Sequence, residues 1–339
     1  MNSKIVVSLR LVSLAAVAAL MLSVPNISHA QDDADAEHNA VATIVKHTNA
    51  AVPAAAAPAT DVKTDAPATT PAKVLTDAEK KAAIADADAI MKYDASKVVG
   101  LAEPWQIYYQ PAESPVMKKL IPLHDVILVI ITLITLFVLA LMVYICVRFS
   151  RRRNPKPSTV THNKTIEIIW TVIPILILVG IAIPSLRIHY QYYNNENIIN
   201  NPDVSIKVVA HQWYWSYEYP DEKIAFDSNL TPEKDLPAGA PRLLEVDNPI
   251  VVPVGKKVRL QITSADVIHA FSMPAFGVKK GAVPGRLNET WFQADKEGIY
   301  YGQCSVLCGK LHGFMPIKII VVSDEDYARW LKGAKLKFA

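Results

Sequence analysis

Tyr300-Tyr301-Gly302-Gln303-Cys304-Ser305-Val306-Leu307-Cys308, followed by Leu311-His312-Gly313-Phe314-Met315-Pro316-Ile317, decides how the rest of this chain is read. The stretch sets two thiols, an imidazole and a thioether on one short loop. A second imidazole, His269, lies upstream in Asp266-Val267-Ile268-His269. Soft sulfur ligands favour copper, and imidazole suits copper as well. A single blue-copper ion takes one Cys, two His and a weak Met; here there is a second Cys. Two thiolates can bridge two metal ions, leaving one His for each. Sharing an electron over two bridged ions reduces the geometric change on redox, which suits electron transfer. Two other readings of the spacing stay open. Zinc binds two Cys and two His in many structural sites, although a thioether is a poor zinc ligand. Cys304 and Cys308 can instead form a disulfide if the backbone brings them to bonding geometry.

Around this loop the chain reads as β-structure. Candidate strands cover 204–219, 243–246, 258–263, 290–294, 298–302 and 317–322. Asp247-Asn248-Pro249, Pro253-Val254-Gly255 and Pro284-Gly285 supply turn signals between them. Many short strands with few helices predict an antiparallel sandwich or barrel over 200–325. A C-terminal helix or tail over 326–339, its helix beginning near 324, packs outside it. Trp213, Tyr214, Trp215, Tyr217 and Tyr219 form a dense aromatic cluster. By itself such a cluster reads as sandwich core plus an interfacial belt. Residues 218–247 carry eight acidic against three basic side chains, a local charge of −5. Such a run is usually a solvated face, and it also suits the electrostatic steering of a basic partner.

Further upstream, 126–147 and 168–186 contain no Asp, Glu, Lys or Arg. At 1.5 Å per residue each can cross a hydrocarbon core of about 30 Å. They predict a two-helix transmembrane hairpin over 101–190, with spans near 121–147 and 166–186. Arg148, Arg151, Arg152, Arg153, Lys156 and Lys164 fall between the spans. The positive-inside rule puts that loop in the cytoplasm and both outer ends of the hairpin in the periplasm. The first thirty residues predict the same side, because they read as a signal peptide. Lys4 and Arg10 precede or enter the apolar stretch 11–24, and Ser28-His29-Ala30 ends in a small residue. Residues 31–100 are rich in Ala, Asp, Thr, Pro and Lys, with no aromatic before Tyr93. They predict a disordered spacer with a solvated helix near 77–92.

The whole-chain numbers bound the function. A formal net charge of +3 gives no argument for nucleic acid. The three cysteines are Cys146, Cys304 and Cys308, too few for a disulfide framework.

These motifs resemble cytochrome c oxidase subunit II, whose CuA domain is a cupredoxin-type β-sandwich. The likeness extends through His211-Gln212-Trp213-Tyr214-Trp215-Ser216-Tyr217-Glu218-Tyr219, Arg242-Leu243-Leu244-Glu245-Val246-Asp247-Asn248 and Pro284-Gly285-Arg286-Leu287-Asn288. In the hairpin it includes His124-Asp125 and Glu167-Ile168-Ile169-Trp170-Thr171. The resemblance implies a membrane hairpin carrying an all-β cupredoxin-type sandwich in a bacterial inner membrane, with both mature termini periplasmic. It implies Cys304 and Cys308 as bridges between two coppers, His269 and His312 as one ligand each, and Met315 as a weak ligand. It gives Val306 a backbone-carbonyl role. Most relatives have Glu there, holding a magnesium ion at the interface with subunit I, and valine has no such oxygen. Trp213 matches the residue where electrons come in from cytochrome c. Glu167 suits an acid at a helix N-terminus, and the resemblance implies a place at the mouth of a proton path. The implied partners are a haem-containing subunit I, subunit III and membrane lipid. A related quinol oxidase subunit keeps the architecture but loses the copper ligands; a membrane-tethered copper chaperone is a second alternative.

Overall fold

The computed structural model describes residues 75–156, 158–193 and 195–338. The expected signal peptide over 1–30 and the expected spacer up to residue 74 lie outside the described residues. Two sheets face each other. One has the order β5-β11-β10-β7-β8, with β1 added on β10; the other runs β4-β3-β2-β6-β9. The strands of the first are β1 Val98–Gly100, β5 Ile250–Pro253, β7 His269–Met273, β8 Val278–Ala282, β10 Gly298–Cys304 and β11 Pro316–Val322. Those of the second are β2 Val204–His211, β3 Tyr214–Tyr219, β4 Ile224–Ser228, β6 Lys257–Ser264 and β9 Asn288–Gln293.

In β3 and β6 burial alternates residue by residue, the period of a strand with one face inward. Trp215, Tyr217 and Tyr219 are the inward residues of β3, as the core reading of the aromatic cluster expects. β11 is buried along its whole length. Its inner face meets the second sheet, and its outer face is covered in turn, which matches the unbroken apolar run after Lys318. Between the sheets, Phe276 stacks on Phe292 at 4.8 Å and meets Tyr300 at 4.6 Å.

The membrane hairpin consists of α2, Pro115–Arg148, and α3, Lys164–Ile188, and a short helix, α4, Glu196–Asn200, leads from it to β2. Both are exposed and strongly apolar, and both are long enough to cross a membrane. The 34 residues of α2 would span about 51 Å at helical rise, so it extends beyond the bilayer core. Its first turn is fixed to the sandwich. Ser114 Oγ accepts from the N–H of Met117 at 3.1 Å and donates to the carbonyl of Phe276 at 2.7 Å. Val116 and Met117 are buried there, and Lys118 pairs with Asp295 at 2.7 Å.

Four sequence expectations need correction. The run 204–219 is two strands, because the chain reverses at Gln212-Trp213 and β2 pairs antiparallel with β3. Residues 243–246 are not a strand. Leu243 has φ +66°, and only Val246 makes a single bridge, to Leu230. The sandwich is mixed rather than antiparallel: β2–β6, β5–β11 and β1–β10 are parallel pairs. Parallel pairing needs the chain to leave and return in the same direction, and here it does so by passing through other strands. The disordered spacer over 31–100 needs correction for its last third, from residue 77 on. Helix α1, Asp77–Met91, is N-capped by Thr76 and packs on α5, Asp324–Phe338. It is therefore not a solvated helix. Composition predicted disorder because the segment's own apolar content is low; Ala87 and Met91 become buried only when the far end of the chain supplies the other half of the contact.

Candidate metal centre

The metal loop begins where β10 ends. Gly302 lets β10 approach β7 closely, since a Cβ there would lie 2.1 Å from the carbonyl oxygen of Ser272. Cys304 pairs with Phe271 across that contact, which brings His269 at the start of β7 next to the loop. β11 leaves from the other end of the loop, just after Met315.

Five side chains converge. The Sγ atoms of Cys304 and Cys308 are 3.9 Å apart. That is nearly twice a disulfide bond length of about 2.05 Å, and both cysteines are free thiols. His269 Nδ1 is 3.9 Å from Cys304 Sγ, and His312 Nδ1 is 3.5 Å from Cys308 Sγ. Met315 Sδ is 3.6 Å from Cys308 Sγ. The carbonyl oxygen of Val306 lies 3.3 Å from Cys304 Sγ. His269, Cys304 and Cys308 are buried, with their donor atoms all within 4.8 Å of one another. Usual metal–thiolate distances are about 2.3 Å, so an ion can touch both sulfurs from either side of the line joining them. The donor set is thus two cysteine sulfurs with two imidazoles, a thioether and a carbonyl around them, a soft set that fits copper.

Residues outside the donor set hold it in place. His269 Nε2 donates to Asp266 Oδ1 at 2.9 Å, which leaves Nδ1 as the free donor facing the sulfurs. Burial pushes the Asp266 carboxyl up. Hydrogen bonds from His269 and from the N–H groups of Val267 and Gln212 outweigh that and hold it below the usual carboxylate range. Gln212 Nε2 donates to the carbonyl of Cys308 at 2.8 Å, and Trp215 Nε1 to that of Met315 at 3.0 Å. Without metal, burial and the neighbouring Cys304 push the Cys308 thiol up to about 12. Metal binding must therefore displace a proton.

The structure separates the remaining predicted residues. Trp213 is half-buried beside the loop, and a Cβ on Gly309 would come within 3.0 Å of its ring. Glu167 is remote from the sulfurs, in the first turn of α3, where it accepts from the N–H of Asn163 at 3.1 Å. The sequence marks Gln212 and Trp215 only as members of an aromatic stretch, and Asp266 only as part of the string that carries His269. The acid three residues before His269 was the available signal. Glu245, counted in the acidic run, is not a surface charge: it is 4% exposed, paired with the wholly buried Lys318, and accepts from Tyr301 OH at 2.8 Å.

The family described as cytochrome C oxidase subunit II, periplasmic domain, matches residues 204–322, and that family's transmembrane domain matches 102–188. A probable cytochrome c oxidase subunit 2 of Rickettsia bellii is 52% identical over 67% of this chain and 84% of its own length. Cytochrome c oxidase subunit 2 of Cereibacter sphaeroides is 46% identical over 70% of this chain and 84% of its own. The crystal structure of the periplasmic domain of the Bradyrhizobium japonicum oxidase subunit II is 58% identical, covering 42% of this chain and 99% of that one at a TM-score of 0.39. Identity of this level across hairpin and sandwich alike means that the chain belongs to the cytochrome c oxidase subunit II family, and is a membrane-bound oxidase subunit with a cupredoxin-type domain.

Proposed function

We propose that this subunit receives electrons from a cytochrome c at a binuclear copper centre and passes them to haem in subunit I. Oxygen is reduced to water there, with coupled proton translocation. The observation that carries the reading is the pair of sulfurs 3.9 Å apart with an imidazole Nδ1 facing each. Cys304, Cys308, His269, His312, Met315 and the carbonyl of Val306 would hold the two coppers. When bound, the copper pair supplies one-electron storage with little rearrangement. All five side-chain donors are present, which a quinol-oxidising relative without copper does not require.

The chain's own residues arrange the rest. Gln212 ties the aromatic turn to the metal loop through Cys308, so the Trp213 ring rests directly against that loop. This supports Trp213 as the contact for the donor's haem edge. Asp227 and Asp266 are exposed acids on the elements flanking it, β4 and the turn before β7. Such charges steer a basic partner. Glu167 sits at the loop end of α3 beside the basic segment, which fits a proton-path mouth on the cytoplasmic side. In this reading the chain sits in a bacterial inner membrane with subunits I and III, its basic loop cytoplasmic and its sandwich outward.

Copper content and EPR of the purified oxidase test this reading. Two coppers per subunit II in excess of subunit I's own, sharing one unpaired electron, are expected. Cys308→Ser should abolish that mixed-valence signal; a signal that survives it would overturn the bridging arrangement.

A further inference from the structure

The metal centre leaves the other end of α2 unexplained. Leu136, Leu139, Val143 and Val147 follow one another at three- and four-residue steps, so they line one face of that helix. Together with Ala140 and Tyr144 they wall a groove of about 620 Å³ that ends at Arg148 and Arg153. No residue of α3 lines it, so it is not the seam between the two spans. The groove is shallow and open, and the loop folds back over its end. Arg153 Nη1 donates to the carbonyl of Val147 at 3.2 Å, which uses one guanidinium donor of several. Arg148 lies over the Phe149 ring at 5.6 Å. Among the described residues no carboxylate pairs with Arg148, Arg151, Arg152 or Arg153.

We propose that this groove is a binding site for one anionic phospholipid of the leaflet that faces the basic loop, with an acyl chain along 136–147 and its phosphate between Arg148 and Arg153. The dimensions match. Eleven helical steps from Leu136 to Val147 cover about 16 Å, and one leaflet contributes about half of a 30 Å core. The chemistry matches as well. An apolar wall alone would accept any acyl chain or any neighbouring helix. Two arginines at its mouth, free of carboxylates, select a negative headgroup, and Arg binds phosphate through paired donors. A transmembrane helix of another subunit would fill the apolar wall but would have to bring its own carboxylates to the two guanidinium groups. The site holds lipid against the same helix whose opposite end is fixed to the sandwich through Ser114 and Lys118.

The test uses the intact oxidase, solubilised in mild detergent and examined by native mass spectrometry while phosphatidylglycerol or phosphatidylcholine is titrated in. One phosphatidylglycerol per subunit II should be retained in preference to phosphatidylcholine. Arg148→Gln with Arg153→Gln should weaken that retention roughly twenty-five-fold, at about fivefold per basic residue. Arg151→Gln with Arg152→Gln serves as a charge-matched control and should retain the lipid. Val143→Trp, which fills the groove and keeps both arginines, should also lose it. Assembly and the copper spectrum report that each variant is folded. Equal retention of the two lipids, unchanged retention in the Arg148/Arg153 variant, or displacement by millimolar inorganic phosphate alone would each overturn the proposal, the last by showing a plain anion site. So would a subunit helix found seated in the groove of the assembled complex.

Discussion

At the scale of single residues, Val306 separates two roles that the family resemblance implies for one position, a backbone copper donor and a side-chain magnesium ligand. Its carbonyl oxygen faces the sulfurs, 3.3 Å from Cys304, while the residue is 38% exposed. A backbone donor is indifferent to the side chain it belongs to, so copper binding should be normal in this protein. A hard ion such as magnesium needs oxygen ligands, and valine supplies none. Interface magnesium is therefore expected to be weak, absent or held by other groups. Val306→Glu should raise occupancy there and leave the copper spectrum nearly unchanged. Manganese-substitution EPR on both proteins measures this. Tight manganese binding in the native oxidase with a subunit II carboxylate in its shell would mean that another residue has taken over the role. The position of Val306 on the loop was legible from spacing to the cysteines. The direction in which its side chain faces was not.

At the scale of elements, the first and last helices of the described residues are joined through a contact that no local pattern announces. Gly333 of α5 lies so close to α1 that a Cβ would sit 2.1 Å from the carbonyl oxygen of Ala83 and 2.6 Å from the Ala87 side chain. Ion pairs flank the contact, Arg329 to Asp86 at 2.9 Å and Lys337 to Asp88 at 2.8 Å. They are exposed, and pairs of that kind contribute little. The close backbone approach is the specific feature. Gly333→Ala should push the helices apart and cost about 1–3 kcal/mol, the usual range for overpacking. Limited proteolysis should then cut near residues 75–92 well before the sandwich unfolds, and an unchanged cleavage rate would show that α1 is not held this way. Both helices were expected individually, one near 77–92 and one beginning near 324, and the structure places them at Asp77–Met91 and Asp324–Phe338. Their pairing was not, because the residues in contact are some 250 positions apart and small.

At the scale of the molecule, charge is redistributed by folding. Of the eight acids in 218–247, Glu218 pairs with Lys207, Glu222 with Lys335, Glu233 with Arg242 and Glu245 with Lys318. The field available to a basic donor comes from the others, Asp227 among them. Asp227→Asn should slow association with cytochrome c at low salt. That effect should fade as the Debye length falls from about 10 Å at 0.1 M to about 3 Å at 1 M. Glu245→Gln should leave association unchanged and instead destabilise the fold by about 3–5 kcal/mol, because it strands the buried Lys318. Stopped-flow rates across ionic strength and thermal unfolding of both variants check the pair. A slowed encounter in Glu245→Gln with normal stability would reverse this assignment.

The sequence by itself determined the parts whose information is local. Two charge-free runs make membrane helices wherever they are placed, because no long charge-free apolar run of that kind is stable exposed to water. The spacing of Cys304, Cys308, His312 and Met315 puts four donors on one loop, because a short loop cannot separate its own residues. What only the tertiary structure decided depends on residues far apart in the chain. His269 reaches the loop because Gly302 lets β7 lie against β10, and its free nitrogen is chosen by Asp266. Glu245 leaves the surface because a lysine on β11 awaits it. Residues 77–91 become ordered because α5 supplies the apolar surface they lack. Composition and periodicity describe a segment's own surface, and in each of these cases the decisive energy belongs to a partner surface contributed from elsewhere.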